Sequence, residues 1–206
     1  MQISSCVVLG TDTDAGKTYT SVRLLNHANQ QGQRAIGMKP VATGWNMNMP
    51  PESQDDVAAL REASVSPLPK VSDQCPYLFS PPVSPHLAAR QAGIMIDPAV
   101  IQQAYSRLQK QADCIIVESA GGVLSPLNDN LDMVDLPALL GLPGLLIIDM
   151  RVGCINQGRL AAEALQHRNV PMLGWIANYR ASTPIAFQEE ILATLKQSIP
   201  FPYLEF

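Results

Sequence analysis

No run of lysine or arginine occurs anywhere in this 206-residue chain, whose formal net charge is -4. With its few basic residues scattered, it lacks the electrostatic footprint of a nucleic-acid surface, and no nucleic-acid partner is expected. A local site for a small anion remains open, because charge at a site can oppose the global sign. No Cys-x-x-Cys pair occurs either. Cys6, Cys75, Cys114 and Cys154 stand far apart, which excludes a zinc knuckle and a dense disulfide framework and fits reduced thiols in the cytoplasm. No basic segment precedes the first apolar run, so a signal peptide is not expected. The most apolar later stretch, Leu136 to Ile148, is too short for a membrane span and carries Pro137 and Pro143. It reads as core, with no membrane partner. Internal repeats and low-complexity tracts are absent. What is present, 47% hydrophobic and 16% charged residues, is ordinary for a soluble globular protein. The length suits one domain, residues 1–206.

The stretch that organises the chain is Val7-Val8-Leu9-Gly10-Thr11-Asp12-Thr13-Asp14-Ala15-Gly16-Lys17-Thr18. A short apolar run feeds a small polar loop that ends in Gly-Lys-Thr, and helical periodicity follows. That is the pattern of a phosphate-binding P-loop: backbone N–H groups and the positive end of the following helix face the phosphates, Lys17 reaches the terminal phosphates, and the Thr18 hydroxyl ligates Mg²⁺. The generic spacing would put the first glycine at position 11, where Thr11 stands, and Gly10 comes one residue early. A nucleoside triphosphate is the implied ligand.

Strands are predicted over 5–9, 35–41, 114–117, 144–149 and 172–177. Helices are predicted over 17–31, 56–63, 98–111, 132–140, 156–167 and 183–196, with Val22, Leu24, Leu25 and Ala28 on the inner face of the first. A further helix starts at Ser84-Pro85-His86, Ser84 acting as cap, after a long irregular stretch over 64–85. Strands alternating with helices give an α/β fold, a mostly parallel sheet with helices on both faces. Ligands on such sheets bind at the carboxyl ends of the strands, where Gly10, Lys39, Glu118, Arg151 and Asn178 fall. Glu118, after four apolar residues, reads as the acidic residue that holds Mg²⁺ beside a P-loop, or as a solvated strand-end carboxylate. Asp55 and Asp56 read as a second carboxylate source, or as the acidic first turn of a helix. Lys39 is a second phosphate cation or an exposed strand-end lysine. Gly153-Cys154-Ile155-Asn156 offers helix-start N–H groups to a carboxylate, or an ordinary cap at Asn156.

Taken together these pieces resemble the dethiobiotin synthetase family, within the P-loop NTPase superfamily. The resemblance is carried by Gly10 to Thr18, Lys39-Pro40-Val41-Ala42-Thr43-Gly44, Asp56, Ser84-Pro85-His86, Glu118 with Ala120-Gly121-Gly122, Gly153 to Asn156, and Gly174-Trp175-Ile176-Ala177-Asn178. It implies ring closure of 7,8-diaminopelargonate with CO₂ and ATP, in which a carbamate attacks the γ-phosphate and the second amine then closes the ring and expels phosphate. It implies catalysis by Lys17 and Lys39, and nucleotide contacts from Thr13, Asp14, Ala15, Gly16, Lys17, Thr18, Tyr19, Asp56, Glu118, Ser119, Ala120, Gly121 and Asn178. Thr18, Asp56 and Glu118 would hold Mg²⁺, and Thr43 with Gly153, Cys154, Ile155 and Asn156 would bind the diamine substrate, the latter turn across a homodimer. Three departures stand out: Ser119 where glycine is common, which is expected to tighten the backbone near the γ-phosphate; Asp14 where glutamate is common; and an end at Phe206, where relatives continue into a loop over the adenine. The last makes only a modest preference for ATP expected, carried by the Asn178 amide as both donor and acceptor. The alternatives are a partner-regulated P-loop ATPase switch, against which Asp12 stands in place of the second lysine such switches carry, and a catalytically silent nucleotide-binding paralogue.

Overall fold

Unbroken apolar runs build the strands, as a parallel sheet covered on both faces requires. The computed structural model describes residues 3–179 and 185–205. Its strands are β1 (Cys6–Gly10), β2 (Ala35–Met38), β3 (Val41–Ala42), β4 (Tyr77–Leu78), β5 (Cys114–Glu118), β6 (Gly144–Asp149) and β7 (Met172–Asn178). Five of them pair in parallel in the order β2-β5-β1-β6-β7, and β3 pairs with β4 apart from that sheet. Every residue of β1, β5 and β6 is buried.

The helices are α1 (Lys17–Gln30), α2 (Asp55–Glu62), α3 (Val71–Gln74), α4 (Pro85–Gln91), α5 (Pro98–Gln109), α6 (Leu136–Leu140), α7 (Cys154–His167) and α8 (Gln188–Ser198). They cover both faces. Cys6 and Val8 of β1 pack with Leu24, Leu25 and Ala28 of α1 and Leu60 of α2. Val7 and Leu9, pointing the other way, join the larger cluster with Ile101 and Leu108 of α5, Leu165 of α7 and Leu195 of α8. No helix among the described residues is long and apolar enough to cross a membrane. All four cysteines are buried free thiols, and burial pushes those of Cys6 and Cys75 up to about 12.

Several local expectations are corrected. The second strand stops at Met38, because the Lys39 N–H is drawn to Gln74 O at 2.7 Å and Pro40 has no N–H to continue a ladder. Val41 and Ala42 then pair with Tyr77 and Leu78, so the stretch expected to be irregular holds α3 and β4. Ser84 stands at the cap position, but its hydroxyl makes no cap bond and meets His86 Nδ1 at 3.0 Å. Asn156 does not cap, since α7 already starts at Cys154 behind Gly153, whose φ is 94°. A single 3₁₀ turn, Met133–Asp135, precedes α6. The last helix begins at Gln188, and its expected start at Thr183 lies outside the described residues. Beyond it the chain runs along the outer edge of β7, where Trp175 N donates to Pro202 O at 2.8 Å and Leu204 N to Trp175 O at 2.9 Å.

Candidate active site

Two glycines shape the loop between β1 and α1, for different reasons. A Cβ on Gly10 would lie 2.9 Å from Lys17 Cδ and 3.1 Å from its Nζ. The lysine therefore folds back over the strand end only above a glycine, which accounts for the early Gly10. Gly16 takes φ 92° at the cap of α1, and a Cβ there would strike Asn178 Nδ2 at 1.9 Å. Lys17 Nζ donates to Asp12 O at 2.8 Å, so the loop wraps around its own lysine.

Strand order does the rest. With β2, β5 and β1 adjacent, Lys39 after β2 and Glu118 at the end of β5 arrive beside the loop, and α2 adds Asp56. Lys39 Nζ lies 2.5 Å from Glu118 Oε1 and 2.8 Å from Asp56 Oδ2. The Thr18 hydroxyl lies 2.8 Å from both Asp56 Oδ1 and Glu118 Oε1. Lys39 and Glu118 are buried, and removing one partner of such a pair costs about 3–5 kcal/mol. Burial alone would lower the Lys39 ammonium, but the Glu118 and Asp56 carboxylates outweigh it and raise the lysine above its ordinary value. For Asp56 burial works upward, and the charge and hydrogen bond of Lys39, with the Thr18 hydroxyl, hold the carboxyl below the usual range. Burial, and next the charge of Lys39, bring the Lys17 ammonium down to about 8.

These groups open into a cleft of about 920 Å³. Thr13, Asp14, Gly16, Lys17, Thr18, Tyr19, Lys39, Thr43, Asp56, Glu118, Ala120, Gly121 and Asn178 line it. Two residues expected there do not. Ala15 is fully buried, and its carbonyl accepts from Asn178 Nδ2 at 2.9 Å. Ser119 is buried behind Glu118, its N–H bonded to Val8 O at 3.0 Å and its hydroxyl without a hydrogen-bond partner. Asn178 reaches the cleft as expected: one N–H of its amide donates to Ala15 O at 2.9 Å, which leaves the second N–H and Oδ1 as donor and acceptor. Ser125 and Tyr179 join the lining with no spacing signal to announce them.

Gly153, Cys154, Ile155 and Asn156 are not brought into this cleft within one chain. They line a second cavity of about 580 Å³ with Arg151, Arg159 and Ile191. Arg151 connects the two regions, with Nη2 3.2 Å from Asp12 Oδ2 of the phosphate loop and Nε 3.1 Å from Asp149. Gln157 of α7 adds a donor to the same Asp12 oxygen at 3.4 Å.

The donor set of the cleft fits a hard divalent cation. Mg²⁺ takes one or two carboxylates and completes its shell with phosphate and water oxygens. Thr18, Asp56 and Glu118 converge within hydrogen-bond distance, and Glu118 Oε2 is buried with no hydrogen-bond partner, an oxygen whose lone pairs are unspent. Among the described residues no three His, Cys, Asp or Glu side chains converge, so protein groups alone do not complete a cage.

A parallel sheet whose first strand runs through a glycine loop into a helix opening on Lys17-Thr18, with Glu118 on the neighbouring strand, defines a P-loop nucleotide-binding protein. Solved structures agree at the level of the fold: the ParA family ATPase from Chlorobium tepidum TLS superposes with a TM-score of 0.59 at 11% identity, over 98% of this chain and 83% of that one. Apo McdA from Cyanthece gives 0.56 at 14% identity, over 98% and 84%. The family model described as AAA domain matches residues 4–200. The ATP-dependent dethiobiotin synthetase BioD of Ralstonia nicotianae is 40% identical, over 97% of this chain and 86% of its own length. That of Nitrosospira multiformis is 44% identical over 96% and 84%, and BioD 1 of Salmonella typhi 41% over 96% and 86%. The chain belongs to the dethiobiotin synthetase family.

Proposed function

We propose that this chain, as one domain over residues 1–206, is an ATP-dependent, Mg²⁺-dependent cytoplasmic ligase that closes the cyclic urea of dethiobiotin from 7,8-diaminopelargonate and CO₂, working as a homodimer. The observation that carries the reading is the convergence of Lys17, Lys39, Thr18, Asp56 and Glu118 on one cleft at the ends of three adjacent strands.

One amine of the substrate adds to CO₂ and loses a proton, giving a carbamate. A carbamate oxygen then attacks the γ-phosphorus as the bond to ADP breaks, leaving a carbamic-phosphoric anhydride. The second amine attacks the carbonyl carbon, phosphate leaves, and a proton is released. Each stage brings an anion up to an anion, so the protein's contribution is positioning and charge. Lys17 covers the terminal phosphates from within the loop. Lys39, between phosphate loop and Thr43, neutralises the carbamate as it approaches, and Thr43 holds the diamine end. The loop of Ala120 and Gly121 faces the phosphates beside Thr13 and Asp14, and Asn178 Oδ1 accepts from the base. Thr18, Asp56 and Glu118 would hold Mg²⁺, which when bound spreads the charge of the phosphate oxygens.

The homodimer is supported by the second cavity, whose helix-start residues lie apart from the cleft and beside the exposed side chains of Val152 and Leu160. There the N–H groups of Gly153 to Asn156, at the positive end of α7, would take the substrate's carboxylate from the neighbouring site. The switch alternative finds likeness in fold alone. Phosphate release measured with each reactant omitted in turn tests the proposal. Release should require both diamine and bicarbonate, whereas hydrolysis of ATP without either would favour a switch, and no release under any condition a silent module.

A further inference from the structure

Two of the three residues assigned to the cation, Asp56 and Glu118, are also the ion-pair partners of Lys39, and the third, Thr18, bonds to both of them. Lys39 Nζ lies 2.5 Å from Glu118 Oε1 and 2.8 Å from Asp56 Oδ2, and Thr18 Oγ1 bridges Glu118 Oε1 and the other oxygen of Asp56. The lysine is 4% exposed, so its ammonium has no easy retreat into water. A divalent ion ligated by those oxygens would stand within a few ångströms of the ammonium, in a setting where like charges are weakly screened.

Resting on the Mg²⁺ reading above, we infer that Lys39 is the resident counter-ion of the Asp56–Glu118 pair, that it and a divalent cation exclude one another, and that nucleotide decides between them. Lys39 is among the residues that line the cleft. A γ-phosphate arriving there offers the ammonium a second anion, and as Lys39 turns to it the carboxylates are released to the metal. Nucleotide and cation therefore raise each other's affinity by reciprocal linkage, over and above the metal's direct bonds to phosphate. Free divalent cation is kept from the site until ATP is present. Lys39 then reaches the reacting phosphate in the same event that loads the metal.

Mn²⁺ is the probe, its free concentration read by electron paramagnetic resonance with the full chain and no nucleotide. Wild type should leave Mn²⁺ largely free, and Lys39→Met should bind one ion per chain at least about tenfold more tightly. The unfolding midpoint should rise with Mn²⁺ in the variant alone. Equal affinity in the two proteins would overturn the inference. Lys39→Met leaves two carboxylates without a counter-ion and can fail to fold. Lys39→Met/Asp56→Asn keeps the charge total of the cluster and should still bind Mn²⁺ more tightly than wild type, through Thr18 and Glu118; equality here too would overturn it. Failure of the Mg²⁺ reading looks different: with a non-hydrolysable ATP analogue, Mn²⁺ binding to wild type would be unaltered by Thr18→Ala or Glu118→Gln.

Discussion

The two cavities of this chain are built in opposite ways. In the cleft at the P-loop the polar atoms are engaged with one another: Lys17 with its own loop, Lys39 with two carboxylates, Thr18 with the same two, Asn178 with Ala15. At the start of α7 the lining is flanked by exposed apolar surface, Val152 at 87% and Leu160 at 57% exposure. The first region is preorganised for charge within one chain, and the second offers a surface suited to completion by another chain. Arg151, half-exposed, and Gln157 of α7 both reach Asp12 and link the two regions. Under the proposed function, the difference is that phosphate chemistry demands groups held before the ligand arrives, whereas recognition of a distal carboxylate would be left to an assembly.

Removing Lys17 breaks the comparison on the preorganised side and should have the largest effect. Lys17→Ala loses a cation that acts on the transferring phosphoryl group, a loss on the order of 10³-fold in kcat. Steady-state phosphate release together with thermal unfolding checks this. A fall of less than about tenfold, in a folded variant, would remove Lys17 from the reaction.

Mixing subunits tests the other side. A Lys17→Ala chain paired with one disabled at Asn156 should regain about half the wild-type rate per heterodimer, because one of two composite sites is then intact. Each parent homodimer should stay inactive. No recovery in isolated heterodimers would assign the α7 start to the site of its own chain.

The smallest effect needs no mutation. Lys17, brought down from the ordinary lysine value of 10.5 to about 8, is protonated in the free protein below pH 8 and neutral above it. Phosphate binds the ammonium form, so above pH 8 nucleotide binding must first take up a proton. The kcat/KM for ATP should then fall about tenfold per pH unit above 8. A profile flat to about pH 10 would mean that the ammonium keeps its ordinary value.

Much of this contrast could be read from the chain, and the rest could not for identifiable reasons. The loop from Gly10 to Thr18 is contiguous, so its spacing carried it, and the parallel sheet followed from buried runs such as Cys114 to Val117. The ion cluster was only half legible. Lys39, Asp56 and Glu118 could each be named, but their meeting depends on β2 lying beside β5, and strand order is not written in local sequence. The break between Met38 and Val41 depended on a hydrogen bond to Gln74, more than thirty residues on. Ser84 and Asn156 carried the right residue types for capping, but the Ser84 hydroxyl turns to His86 two residues on, and α7 starts two residues before Asn156, behind the positive-φ Gly153. The bond from Asn178 to the phosphate loop was not legible, because nothing at position 178 reveals the carbonyl of Ala15 beside it.

That last contact has a metrical consequence. Asn178 ends β7, and Ala15 belongs to the loop after β1, with β6 lying between the two strands. Two strand spacings span about 10 Å, and the hydrogen bond of 2.9 Å ties the loop to the far side of that interval. The phosphate loop thus reaches across β6, and its seat against Asn178 is fixed through the lattice of the sheet. A nucleotide laid across these strands is measured against a ruled scale whose divisions are backbone hydrogen bonds.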